Sequence, residues 1–139
     1  MPTEIEALCD TIEDCYEFTL NYAARGLTTD ADSDAGRQLR EKLTNALAAM
    51  GGLEAASMAA AAQMDGEKAR KVEAFVAVLS GDAQRSSAVL DMVLAQPAIS
   101  AQLIDNLNAS IHLRALLTDL FLVTEIVAAP RAGTTSSTD

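Results

Sequence analysis

Apolar residues return every three or four positions from the start of the chain. Ile5, Leu8, Ile12, Cys15, Thr19 and Tyr22 share one side of a helix, with Tyr16, Leu20 and Ala23 widening the stripe. Thr3 followed by Glu6 forms a capping box and Gly26 supplies a stop, so the spacing predicts a first helix over 3–25. The stretch GLTTDADSDAG gathers turn formers and ends in Asp32 or Ser33 as the next N-cap. A second helix follows to about residue 50, with Leu39, Leu43, Leu47 and Met50 on one side, and Gly51 and Gly52 end or bend it.

An Ala-rich segment from Leu53 continues past Gly66, and one long helix is expected over 53–79, disturbed at Gly66. Its small residues Ala55, Ala56, Ala59, Ala60 and Ala62 permit close approach of another helix. Ser80, Gly81 and Asp82 suggest a reset into a short fourth helix that buries Val89, Leu90, Val93 and Leu94. Pro97 suits the first turn of a fifth helix, because its missing N–H has no partner there. That rod is expected to run to about residue 129, and residues 130–139, PRAGTTSSTD, read as a disordered tail. The expectation is a single all-α domain over 1–129, an up-down-like bundle of about four to five helices with a long C-terminal helix. Composition agrees, since the chain has 27 Ala and 17 Leu but only five aromatic residues, which disfavours sheets. A solenoid is not expected, because no fixed period repeats.

The terminal rod raises the functional question. Its first half has one apolar face, formed by Ile99, Leu103, Ile104, Leu107 and Ile111. Beyond Leu113, the residues Leu116, Leu117, Leu120, Phe121, Leu122, Val123, Ile126 and Val127 cover nearly the whole circumference. A helix apolar all round must be covered all round. Either it is central to its own bundle or a second copy covers one face, and a homodimer is expected through Leu116, Leu120, Val123 and Val127. On a continuous rod Arg114, Thr118 and Glu125 share a side with Leu103, Leu107 and Phe121, so Arg114 and Glu125 are expected near the core. The two are about 16 Å apart along the axis and cannot neutralise one another within the helix. Each then needs a partner on another helix, on a dimer mate, or in an anionic ligand.

Charge narrows the function classes. The net charge of -10 excludes a nonspecific nucleic-acid binder and disfavours binding to anionic membranes. No uninterrupted apolar run reaches the roughly 18 residues of a membrane span, and the start lacks a signal-peptide pattern, so a cytoplasmic protein is expected. The first helix gathers Glu6, Asp10, Glu13, Asp14 and Glu17 on one face, where like charges repel. A solvated face, a basic patch such as Arg37, Arg40 and Lys42, a basic partner protein, or a divalent metal would each relieve that repulsion. Glu13-Asp14-Cys15-Tyr16-Glu17 loosely resembles a D-D-x-x-D acidic box, and magnesium on acidic helices is the pattern of all-helical nucleotide pyrophosphatases and prenyl synthases, but the chain is short for a prenyl synthase and no second acidic motif accompanies it.

His112, the sole histidine, is expected on a solvated face with Asp105, Asn108 and Asp119. Those residues are spaced too far along one helix to ligate a single ion. A phosphotransfer role for His112 is a lesser alternative, because Ala115 and Leu116 replace the Lys and Gly that follow the histidine in that family. Cys9 and Cys15, about 9 Å apart along a helix, cannot pair with each other and read as buried thiols. No cofactor is called for. The function expected is a noncatalytic adaptor, chaperone or regulator acting through protein contacts; the alternative is an enzyme or ligand carrier using the helix-one carboxylates or Arg114.

Overall fold

The computed structural model describes residues 3–128, which form six helices and no strand. These are α1 (Glu4–Ala24), α2 (Asp34–Gly51), α3 (Leu53–Ala62), α4 (Gly66–Leu94), α5 (Ala101–Asn108) and α6 (Ile111–Ala128). The expected tail over 130–139 lies outside the described residues. The all-α expectation holds, with one helix more than the four to five anticipated.

Local chemistry explains the first boundaries. The Thr3 hydroxyl accepts from the Glu6 N–H, and Glu6 Oε1 accepts from the Thr3 N–H at 2.9 Å, completing the capping box. Ser33 caps α2 by accepting from the Gly36 N–H at 3.0 Å. Gly52 alone separates α2 from α3. Helix α2 runs back along α1, placing Gly52 beside Leu8 and packing Leu43 near Cys15.

The middle of the chain departs from expectation twice. The break falls at Gln63–Asp65, where Gly66 has φ +59°, a left-handed conformation that a side chain would strain. Conversely Ser80, Gly81 and Asp82 lie inside α4. A helical glycine costs only about 1 kcal/mol, and here the flanking Leu79 and Ala83 are both buried in the core. The Ala face of α3 is covered only in part: Ala56 and Ala61 are buried, whereas Ala55, Ala59 and Ala62 are exposed.

The terminal rod is two helices. Pro97 lies in the turn after α4, outside any helix, and Ser100 caps α5 by accepting from the Leu103 N–H at 3.0 Å. Helix α5 stops at Ala109 and α6 begins at Ile111. Asn108, buried at this break, donates from Nδ2 to the Thr19 carbonyl at 3.1 Å and ties the end of α5 to α1.

One carboxylate holds the near end of the bundle together. Asp30, in the α1–α2 loop, pairs with Arg40 of α2 and accepts from the Ile99 N–H at 2.7 Å. Arg40 also donates to the carbonyls of Leu94 at 3.1 Å and Gln96 at 2.9 Å. The Tyr22 hydroxyl donates to the Ile99 carbonyl at 2.9 Å, and the Ala101 N–H to the Leu27 carbonyl at 2.7 Å. Gly36 is required beside this clasp, since a Cβ there would stand 1.8 Å from the Asp30 carbonyl oxygen. Replacing Asp30 with Ala strands the Arg40 charge and a buried N–H, so it should destabilise the fold by about 2–4 kcal/mol in urea unfolding. A loss below about 0.5 kcal/mol would show that the clasp is incidental.

Candidate functional site

The acidic face of α1 is distributed among several tasks. Glu6 serves the cap, and its hydrogen bonds from Thr3 hold its carboxyl below the ordinary carboxylate value. Asp14 pairs with Lys42 of α2, whose ammonium also lies 6.0 Å from the centre of the Phe18 ring. Of the three expected neutralising cations only Lys42 reaches α1, because Arg40 belongs to the Asp30 clasp and Arg37 pairs with Asp34. Asp10 and Glu17 are exposed and Glu13 is half-buried, and none of these three forms an ion pair with a described residue. Among the described residues no group of three or more His, Cys, Asp or Glu is arranged to hold a metal ion.

Cys9 and Cys15 are free and buried. Burial first, and then the neighbouring acids Glu13, Asp10 and Glu6, push the Cys9 thiol up to about 11. Burial and Asp14 push Cys15 to about 12, against a smaller opposing effect of Lys42. Thiols so displaced stay protonated at neutral pH and are poor nucleophiles. His112 is exposed on the first turn of α6, where its backbone carbonyl accepts from the Ser86 hydroxyl at 3.0 Å.

The residues expected at a partner interface fall on the wrong side of α6. Leu116 and Leu120 are wholly buried by the chain's own helices, Val123 nearly so, and Val127 is half-buried. Arg114 and Glu125, expected near the core, are both exposed. The cause is the break at Ala109 and Ser110, which re-phases α6 relative to α5, so that the side shared with Leu103 and Leu107 on a continuous rod turns to solvent. The outward arc carries Ile111, Arg114, Thr118, Phe121, Leu122, Glu125 and Ile126. Phe121, Leu122 and Ile126 are 44 to 49% exposed, and Val78 of α4 adds a fourth large apolar side chain at 51%.

Helices α4 and α6 run antiparallel and leave an apolar groove of about 290 Å³ between them. Val72, Phe75, Leu122, Val123 and Ile126 line it, with Lys68 and Lys71 at one end. Further along the same seam the re-phasing buries Asp119, expected on a solvated face, with one carboxyl oxygen lacking a protein partner. Burial, and after it the neighbouring Asp82 carboxyl, hold Asp119 up at about 7. Arg85 lies 3.4 Å from Asp82 and stays largely exposed, which leaves the buried acid uncompensated. A proton held on Asp119 lowers its repulsion with the neighbouring acid.

No protein-family model matches the chain, and no curated protein or solved structure matches it either. Among the described residues no helix is long and apolar enough to cross a membrane.

The Asp119 pair gives a pH dependence with a definite sign. A carboxyl protonated in the folded chain but ionised in the unfolded one stabilises the fold fully below the ordinary carboxylate value. That stabilisation is lost as pH rises toward about 7. Urea midpoints should therefore fall between about pH 4 and pH 7 from this group. Asp119→Asn should flatten that window and be about 1–2 kcal/mol more stable than the unaltered chain at pH 8. Equal slopes in the two proteins would show that Asp119 does not carry this pH dependence.

Proposed function

We propose that the chain is a noncatalytic protein-interaction module, an adaptor, chaperone or regulatory protein, that works as a homodimer through the outward arc of α6. One observation carries this reading: four large apolar side chains, Val78, Phe121, Leu122 and Ile126, stand about half exposed on adjoining helices. Ile111, 73% exposed, extends the same arc toward the start of α6. Scattered single apolar residues on a surface are ordinary, but several large ones gathered on one helix arc, here Ile111, Phe121, Leu122 and Ile126, mark a contact surface. Opposite charges at Arg114 and Glu125 border the patch and favour a specific partner over indiscriminate adhesion.

The acidic residues of α1 supply a second surface. Asp10, Glu13 and Glu17, unpaired with any described residue, suit a basic protein partner, whose approach their field would accelerate. The dimer would thus present two such faces, with its apolar seam closed.

Sedimentation equilibrium at micromolar concentration should give twice the chain mass. Leu122→Glu should give the monomer mass with an unchanged far-ultraviolet dichroism spectrum, since the altered side chain is half exposed. A monomeric unaltered chain at that concentration contradicts the proposal.

A further inference from the structure

The outward stripe of α6 has an internal symmetry. Arg114, Thr118, Phe121 and Glu125 follow one another at steps of four, three and four, which keeps them on one line of the helix surface. The midpoint between Arg114 and Glu125 falls between positions 119 and 120, and the midpoint between Thr118 and Phe121 falls at the same place. Read from either end, the stripe is a charge, an inner pair, and the opposite charge. Neither Arg114 nor Glu125 forms an ion pair with a described residue.

Resting on the dimer reading above, we infer that the partner is a second copy packed with α6 antiparallel to α6, the two-fold axis crossing between positions 119 and 120, so that Arg114 of each chain pairs with Glu125 of the other. A two-fold interface is self-complementary, each contact occurring twice. In this register the two ion pairs close at opposite ends of the contact, about three helical turns apart. Between them Thr118 faces Phe121, a small residue against a large one, which lets the helices approach closely on both sides of the axis.

Other arrangements lose this match. Parallel packing sets Arg114 against Arg114 and Glu125 against Glu125. Moving the antiparallel axis onto Thr118 places Arg114 opposite Leu122 and Glu125 opposite Ile111, which desolvates four charges without pairing them. The register follows from charge, and the affinity from the apolar arc.

Charge exchange tests it. Arg114→Glu and Glu125→Arg each create two like-charge contacts and should raise the dimer dissociation constant at least about tenfold. The double variant R114E/E125R should return to within about threefold of the unaltered chain. Mixing the two single variants should produce heterodimers in preference to either homodimer, because both pairs are then restored, and native mass spectrometry reads that ratio directly. Loss of folding cannot produce such pairing. A dimer that forms equally well in all four proteins, or single variants that mix without preference, overturns the register while leaving the dimer intact. A monomeric unaltered chain overturns both.

Discussion

Asp30 is the point at which the separate segments of this bundle become one structure. Its carboxylate joins the α1–α2 loop to α2 through Arg40 and to the start of the final helical pair through the Ile99 N–H. Arg40 extends the hold to the carbonyls that close α4. With Asp30 buried and Arg40 half-buried, the carboxylate has few alternatives, so its hydrogen bonds fix direction as well as proximity. The turn around Pro97 is thereby pinned across the end of α1, and α5 has to set out along it.

Everything about α6 follows from that course. Helix α5 ends after two turns, where Asn108 ties back to Thr19, and the break at Ala109 and Ser110 sets a new phase. The inward arc then buries Leu113, Leu116, Leu117, Leu120 and Val123, while Phe121, Leu122 and Ile126 turn outward. Helices α1, α3, α4 and α5 cover one side of α6 and no more. The apolar excess of α6 is divided between a core and a surface, and the surface share motivates the dimer.

The start of the chain was legible because its signals are local. A capping box, a Gly stop and a three-four stripe suffice for α1, and Ser33 and the Gly51-Gly52 pair for α2. The later boundaries depend on tertiary packing. Ser80-Gly81-Asp82 resembles a break, yet Leu79 and Ala83 gain enough burial for the helix to pass through. Pro97 would fit a helix start, but the Asp30 clasp takes Ile99 into a turn. The break at Ala109 has no Gly or Pro to announce it, and a continuous rod therefore misplaces three charged residues beyond it, while exposed His112 lies where expected. Arg114 and Glu125 moved from core to surface, and Asp119 moved the other way. Asp82 could have been linked to Asp119 only by knowing that α4 and α6 run antiparallel.

Whether a second chain covers the outward arc is most directly settled by an isotope-filtered nuclear Overhauser experiment on mixed carbon-13-labelled and unlabelled protein. The account predicts cross-peaks from the Thr118 methyl of one chain to the Phe121 ring of the other. Absence of any intermolecular cross-peak from Ile111, Thr118, Phe121, Leu122 or Ile126 would contradict it.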